Sequence, residues 1–307
     1  MWDWSREQTT WLLAVVLIWA GWMAGCGPSI AQGENPLKKS SATATATVTP
    51  LPPTTTPSPL PSATITEEKN IMYRIIIVYD NYPHKPGLGT AWGFSAYVTS
   101  QDENILFDSG GSGSLLLSNL AALNIEPADI QNVVLSHEHD DHTGGLQSLL
   151  NAGSDPKLYV PPSFSSSFKQ QFRNQTQMIE VEPGMVIADG IYSLGEMPGP
   201  PPEQALVIDT SEGLVIITGC AHPGIDNIVK EAKRQYQKEI YLVLGGFHLS
   251  SASDTRVNQI INIFDDAGVK NVAPCHCTGD RAIGLFRNAF GEDFIRVGVG
   301  AVIVIEG

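Results

Sequence analysis

Short runs of apolar, often β-branched residues recur along the chain from residue 71 onward, and polar turns separate them. Runs of this length and composition predict strands. In the first half of this region the strands are expected at residues 72–80, 93–98, 104–107 and 133–136, with a helix over residues 114–123. Strands that alternate with helices indicate an α/β domain.

The second half shows the same alternation. Ile225, Ile228, Val229 and Ala232 fall on one stripe of a helix predicted over residues 225–236, the spacing of an amphipathic helix. Further strands are expected at 205–208, 214–218, 240–244, 269–273 and 294–305. Two further helices are expected at 254–267 and 283–290, and Asp254 is the expected N-cap of the first. Residues 157–202, rich in proline and polar side chains, receive no element and are expected to line the entrance of a site.

The amino-terminal segment, residues 1–26, has a different character. Residues 11–24 carry no charge and are fewer than the roughly 20 residues of a spanning helix, which favours a signal peptide. Small residues before Cys26 resemble the lipobox of bacterial lipoproteins, which predicts acylation of Cys26. A plain membrane anchor is the alternative, because Arg6 is the only positive charge ahead of the apolar run. Either reading predicts an extracytoplasmic protein tethered to the cell membrane.

Residues 27–70 link this segment to the folded part. They are rich in threonine, proline and serine and contain few large apolar side chains to offset the entropy of an ordered chain. Proline favours extended polyproline II geometry. We therefore predict a disordered tether over residues 27–70, followed by one domain over residues 71–307.

Charge and cysteine content narrow the possible functions. The formal net charge is −14, which argues against binding nucleic acid through a broad basic surface. The charge says little about a small-molecule substrate, which is expected on other grounds given below. Besides Cys26 the chain has only Cys220, Cys275 and Cys277, too few for a disulfide scaffold. All three lie beside histidines, so proximity to a metal explains them better than disulfide pairing.

The stretch that follows the strand at 133–136 carries the strongest chemical signal. It reads His137-x-His139-x-Asp141-His142, and imidazole and carboxylate groups together suit zinc, iron and related ions. In an extended turn His137 and His139 point the same way. The turn is expected to swing Asp141 and His142 toward a second position, so that one loop serves two adjacent metals.

Other candidate ligands also follow predicted strands. These are Cys220, His222, His248 and His276, and groups past the ends of adjacent strands converge on one edge of a sheet. Cys220 is either a ligand or a small buried apolar residue, and His248 either binds metal or contacts substrate. Asp108 also ends a strand, where it either orients a ligating histidine or forms a turn.

The His-x-His-x-Asp-His loop resembles that of the metallo-β-lactamase-fold superfamily of metallohydrolases. The segments around Cys220, Gly245 and Cys275 are similar to those of the dihydropterin ribofuranosyl-aminobenzene phosphate synthase-like branch. The resemblance implies a four-layer α/β/β/α sandwich and two divalent metal ions. It implies that His137 and His139 hold the first ion, that Asp141, His142 and His276 hold the second, and that Asp108 supports them.

The chain departs from the superfamily pattern at two points. No histidine occurs between His142 and His222, where most members have another ligand. Glu203, near the expected place, and His222 are the candidate replacements. Cys220 stands where a bridging aspartate is usual, which leaves the bridge open.

The resemblance implies a metal-dependent hydrolase that directs an activated water at an ester, lactone or phosphoester. Asp141 is expected to position or deprotonate this water, with zinc as the default metal and manganese or iron as alternatives. A transferase like the namesake of the branch is a second hypothesis, against which the export signal speaks. A non-catalytic lipoprotein that binds metal or solute is a third.

Overall fold

The computed structural model describes residues 72–101 and 103–306. The predicted signal peptide, the acylation site at Cys26 and the tether lie outside the described residues, and these predictions stay predictions. Among the described residues no helix is long and apolar enough to cross a membrane.

Thirteen strands and seven α-helices make up the described part of the chain. The strands are β1 (Met72–Tyr79), β2 (Ser95–Thr99), β3 (Asn104–Phe107), β4 (Asn132–Val134), β5 (Lys157–Val160), β6 (Gln177–Glu180), β7 (Val186–Ala188), β8 (Ile191–Ser193), β9 (Leu206–Thr210), β10 (Gly213–Thr218), β11 (Ile240–Gly246), β12 (Val269–Cys275) and β13 (Val302–Glu306). The helices are α1 (Gly113–Ala122), α2 (Asp140–Thr143), α3 (Leu146–Asn151), α4 (Ser166–Phe172), α5 (Ile225–Tyr236), α6 (Asp254–Ala267) and α7 (Asp280–Phe290).

The strands form two mixed sheets. The first has the order β13-β1-β2-β3-β4-β5-β6 and the second the order β12-β11-β10-β9-β8-β7. Strands β3 to β6 run parallel in the first sheet, and β10 to β12 run parallel in the second. In each sheet the carboxyl ends of the parallel strands therefore open on one edge, where the loops that follow them gather.

Three layers of apolar side chains hold the two sheets and the helices together. The central layer lies between the sheets and includes Ile75, Phe107, Ile208 and Leu242, all fully buried. A second layer joins α1, α3 and α4 to the first sheet, and a third joins α5, α6 and α7 to the second sheet. The predicted four-layer α/β/β/α sandwich is thus confirmed.

The outer helices follow the expected sequence logic with one correction. Helix α5 buries Ile225, Ile228, Val229 and Ala232 on its apolar stripe. The N-cap of α6 is Ser253 and not Asp254, because the Ser253 side chain accepts the backbone N–H of Arg256. A serine hydroxyl is among the preferred acceptors at this position.

Two other sequence predictions are wrong. The last strand is limited to Val302–Glu306. The chain before it makes only isolated contacts with two different segments: the Ile295 N–H donates to the Val272 carbonyl of β12 at 2.8 Å, and the Val299 N–H donates to the Tyr82 carbonyl at 2.8 Å. Residues 157–202, which received no element, contain β5, α4, β6, β7 and β8. These strands are only three or four residues long, too short to give a clear periodic pattern.

Candidate metal centre

The histidine-rich loop follows β4 and turns into the short helix α2. His139 is extended (φ −110°, ψ 147°) and caps α2, whose first residue is Asp140. The extended part places His137 and His139 side by side, while the helical turn carries Asp141 and His142 to the other side. His137 and His142 are fully buried, whereas His139 is exposed.

The first group of candidate ligands consists of His137, His139 and His222. The Nε2 atom of His137 lies 3.1 Å from Nδ1 of His139. The ring of His222 lies 4.7 Å from that of His137 and 5.0 Å from that of His139, measured between centroids. One ligand atom from each residue lies within 4.8 Å of the other two.

The second group consists of Asp141, His142, Cys220 and His276. The Nε2 atom of His142 lies 3.2 Å from the Cys220 Sγ and 3.5 Å from an Asp141 carboxylate oxygen. The same oxygen lies 3.4 Å from Nε2 of His276. Two atoms that bind one tetrahedral zinc ion at 2.0–2.1 Å stand about 3.3 Å apart. The spacing within this group is therefore that of atoms sharing one ion.

The strands of both sheets deliver these side chains to the same edge. His137 follows β4, Cys220 and His222 follow β10, His248 follows β11, and His276 follows β12. The loop after β10 packs tightly against the loop after β4. A Cβ added at Gly219 would lie 2.1 Å from the Ser136 hydroxyl oxygen, so only glycine fits at this close approach.

The buried carboxylate of Asp108 fixes the protonation pattern of two histidines. Its Oδ1 accepts the Ser136 N–H, and its Oδ2 accepts the Ser136 hydroxyl, both at 2.7 Å. Oδ2 also lies 2.7 Å from the Nδ1 of His142, which must donate because an ionised carboxylate only accepts. The Ser136 oxygen, whose single proton goes to Asp108, accepts from the Nδ1 of His137 at 2.9 Å. In its neutral form each ring therefore keeps its proton on Nδ1 and turns the Nε2 lone pair toward the site.

The side chain of Asn81 fixes which ring nitrogen of His276 carries the proton. The Oδ1 of Asn81 lies 3.0 Å from the Nδ1 of His276, while its amide nitrogen lies 3.4 Å from the His276 carbonyl. The amide oxygen accepts, so this Nδ1 also donates and Nε2 again carries the lone pair. A histidine that donates from one ring nitrogen to an oxygen is the usual arrangement of a metal ligand.

The groups that face the opening fit divalent metal ions. The Nε2 atoms of His222 and His276 are buried, and among the described residues neither has a hydrogen-bond partner. A buried polar atom without a partner is costly, and a metal ion would satisfy both atoms. The first group offers three imidazoles and the second offers imidazole, carboxylate and thiol, a donor set that zinc accepts.

The pKa values of the histidines differ between the two groups of candidate ligands. Burial, followed by the neighbouring histidines, lowers the pKa of His137, and burial lowers the pKa of His222 to about 4. Burial alone would also lower the pKa of His142, but the Asp108 carboxylate outweighs it and raises that pKa to about 9. Burial opposes ionisation of Asp141, yet the His276 ring, 3.4 Å away, and the charge of His142 hold its pKa at about 2. Asp141 is therefore ionised at neutral pH.

Glu203 supports a loop and does not join the first group. One of its oxygens accepts the N–H groups of Gly219, Cys220 and Ala221 at 2.9–3.1 Å, and the other accepts that of His222 at 2.8 Å. The second oxygen lies 3.9 Å from the ring nitrogen Nδ1 of His137, and Glu203 belongs to none of the three groups of candidate ligands. Burial raises the pKa of Glu203 to about 7, against the lowering effect of these N–H donors. Of the two candidate replacements, the structure places His222 with the first group.

The thiols and His248 surround the junction of the two groups. Cys220 belongs to the second group and also to a third, with His222 and His248, so it lies between the two sets of imidazoles. The Cys277 thiol donates to the Cys220 carbonyl at 3.7 Å, whereas Cys275 is buried between the sheets near Asp80, and burial raises the pKa of its thiol. The three cysteines in the described part of the chain are free. His248 is exposed, with its ring 4.4 Å from that of His222.

Sequence reasoning missed several residues of the site. Ser136 and Asn81 orient the histidines, and the indole of Trp92 lies 4.8 Å from the His276 ring with 56% of the residue exposed. Asn81 stands 195 residues from His276, and no local pattern marks a contact of that separation. An exposed tryptophan beside polar loops was the one available signal for Trp92.

Comparisons with known proteins agree with this geometry. The family model of the metallo-beta-lactamase superfamily matches residues 93–256. A 7,8-dihydropterin-6-methyl-4-(beta-D-ribofuranosyl)-aminobenzene-5'-phosphate synthase from Methanocaldococcus jannaschii is 31% identical over 247 residues, 66% of this chain and 84% of the relative. This identity supports the branch that the later motifs indicate.

Solved structures show the same fold. A metal-dependent hydrolase of the beta-lactamase superfamily has a TM-score of 0.65 at 28% identity, over 76% of this chain and 100% of its own. The metallo-beta-lactamase fold protein YhfI from Bacillus subtilis has a TM-score of 0.58 at 19% identity, over 78% and 100% of the two chains. By sequence match, sheet order and the loop of candidate ligands, the chain belongs to the metallo-beta-lactamase superfamily.

Proposed function

We propose that the protein is a metal-dependent hydrolase that cleaves an ester, lactone or phosphoester bond in a small molecule. The observation that carries the proposal is the shared orientation of three buried histidines. His137, His142 and His276 each donate from Nδ1 to an oxygen and present Nε2 to one opening. Histidines that bind metal usually donate their other ring N–H to an oxygen in this way.

Two adjacent ions fit the geometry. His137, His139 and His222 would hold the first, and Asp141, His142 and His276 would hold the second, with Cys220 between them. Divalent ions bound there would act as Lewis acids and lower the pKa of a water molecule from 15.7 to about 7. Zinc is the default for this donor set, with manganese and iron as alternatives.

Asp141 acts on the attacking water in this proposal. Its side chain is 22% exposed and its oxygen lies beside both His142 and His276, so solvent reaches it. With a pKa of about 2 the carboxylate is a weak base at neutral pH and accepts a hydrogen bond readily. We therefore assign Asp141 the task of orienting the water over that of removing its proton.

An open site favours catalysis over a purely structural metal. Structural zinc sites are usually closed by four protein ligands, whereas catalytic sites leave a position for water or substrate. His139 is exposed and Asp141 is partly exposed. The exposed indole of Trp92 beside His276 offers a flat surface for a substrate ring.

A second candidate function follows from the 31% identical synthase. In that case the same residues would stabilise a phosphate-bearing leaving group during a transfer reaction. Coupled product formed from the two substrates of such a synthase, with no hydrolysis, would favour this candidate.

A non-catalytic metal-binding role is the third candidate. One ion held by Cys220, His222 and His248, with no exchangeable position, would favour it.

We also propose that the protein acts outside the cytoplasm, tethered to the membrane through a lipid on Cys26. The support is the sequence of residues 1–26 alone. Mass spectrometry of the full chain expressed in bacteria tests the proposal. A chain that begins at an acylated Cys26 would support it, whereas a chain that keeps residues 1–25 and carries no lipid would show an uncleaved apolar anchor.

Loss of one histidine from the first group tests the proposed hydrolase. The full chain would be purified with zinc, its metal content measured, and turnover followed on an activated ester, a lactone and a phosphodiester. His139→Ala should lower the metal content and reduce turnover of the preferred substrate by at least about 100-fold. His84→Ala is the matched control, because His84 is exposed and belongs to none of the three ligand groups. Equal activity and metal content in the His139 and His84 variants would overturn the ligand assignment.

A further inference from the structure

A cavity of about 340 Å³ lies beside α7, next to the loop that supports the metal centre. Residues that line it include Tyr82, Asp280, Ile283, Arg287, Phe294 and Arg296, here called the arginine pocket. A volume of this size lies at the lower end of the range for small-molecule sites.

The two arginines of the pocket have no carboxylate partner. Arg234, Arg256 and Arg281 each pair with a carboxylate at 2.5–2.7 Å, whereas Arg287 and Arg296 take part in no ion pair or side-chain hydrogen bond within residues 72–101 and 103–306. Arg173 is likewise unpaired, but it lies away from this cavity. Two unpaired guanidinium groups therefore line one cavity in a chain of net charge −14.

The only carboxylate in the lining, that of Asp280, is already engaged. The Tyr82 hydroxyl donates to it at 2.9 Å. The positive charge of the pocket therefore exceeds its negative charge, since arginine stays protonated in proteins. A guanidinium group presents a planar fork of donors that matches a carboxylate or phosphate.

The remaining lining is apolar and well anchored. Ile283 lies on α7, and Phe294 precedes a backbone hydrogen bond from Ile295 to Val272 on β12. The backbone beside Arg296 is thus tied to the second sheet. An apolar wall opposite charged groups favours a ligand with an apolar body and an anionic end.

We propose that the arginine pocket binds a small molecule that carries a phosphate or carboxylate group on an apolar ring. Arg287 and Arg296 bind the anionic group, and Ile283, Phe294 and the Tyr82 ring contact the apolar body. The pocket is separate from the candidate ligands of the metal centre. It is linked to them through the chain, because Tyr82 follows Asn81, the residue that orients His276.

Binding of simple probes to the full chain tests this proposal. Phenyl phosphate, benzoate and benzyl alcohol would be titrated by calorimetry against the zinc-loaded protein and against chelator-treated protein. Binding of phenyl phosphate or benzoate at the metal centre would be lost after chelation, whereas binding at the arginine pocket would persist. Failure of the proposed metal function therefore leaves this test intact. The phenyl phosphate and benzoate arms show which anionic group the pocket prefers.

Arg287→Ala combined with Arg296→Ala should weaken binding of the preferred anion by at least about tenfold in chelator-treated protein. Both side chains are exposed, so the variant is expected to fold, and its melting curve checks this. Arg173→Ala is the matched control, because Arg173 is exposed and lies on a different surface, beside α4. The control should bind like the wild type. Benzyl alcohol binding as tightly as the anions, or unchanged anion binding in the double variant, would overturn the proposal.

Discussion

Replacing Asp108 with asparagine changes one oxygen for an amide nitrogen at the centre of the histidine network. Asparagine tolerates the positive φ of this position, +57°, so the variant is expected to fold. The retained oxygen would still accept the Ser136 N–H. The new amide group would then stand 2.7 Å from the Nδ1 of His142. Because both nitrogens cannot donate, His142 is expected to move its proton to Nε2 and lose its lone pair toward the site.

The size of the effect follows from what the substitution removes. Loss of a group that orients a metal ligand typically lowers metal affinity by about 10–100-fold, or about 1.4–2.7 kcal/mol. The hydrogen bond from His142 to a charged acceptor is worth a further ~1.5–3 kcal/mol to the fold. We therefore expect weaker metal binding at the second position, together with a moderate decrease in the free energy of unfolding.

Competition with a zinc-binding dye measures the affinity, and nitrogen-detected NMR of the histidine rings reports which nitrogen carries the proton. Asp140→Asn is the matched control, since it removes the same charge from an exposed residue of the histidine-rich loop. The control should bind metal like the wild type. If Asp108→Asn binds two metal ions with wild-type affinity, Asp108 does not set the state of His142 and the reasoning is refuted.

Three further predictions follow from the structure. Because the Asp108 carboxylate raises the pKa of His142 to about 9, zinc must displace a proton from this ring at neutral pH. Zinc titrations at pH 6, 7 and 8 should therefore show affinity at the second position rising with pH, by about tenfold per unit, and an affinity there that does not change with pH would contradict the raised pKa. Phe247→Ala should lower the free energy of unfolding by about 3–5 kcal/mol in urea titrations, since Phe247 is 1% exposed and packs on two other phenylalanines; a loss below 1 kcal/mol would contradict the described packing. Trp92→Ala should raise KM for an aromatic substrate and leave metal content unchanged, and a loss of metal would show a different role.

The sequence was informative where one local pattern determines the structure. The stripe of Ile225, Ile228 and Val229 predicts α5 with the bounds that the structure shows. The spacing of His137, His139 and His142 gives a cluster within one loop, because neighbouring residues cannot move far apart. The shared position of Cys220 and His276 after parallel strands also suffices to place them at one edge of the sandwich.

Other features depend on contacts that no local pattern encodes. Glu203 lies near the expected place of a ligand, yet its oxygens accept four backbone N–H groups of the loop after β10, a geometry that exists only after folding. Asn81 reaches His276 across 195 residues. The short strands of residues 157–202 are formed through pairing with neighbours and not through their own propensity.

The central claim is that the chain holds two adjacent metal ions at its two groups of candidate ligands. Crystals of the zinc-loaded full chain, measured on both sides of the zinc absorption edge, locate each ion directly. The account predicts two anomalous peaks, one among His137, His139 and His222 and one among Asp141, His142, Cys220 and His276. A single peak enclosed by Cys220, His222 and His248, or no peak at this edge of the sandwich, would contradict it.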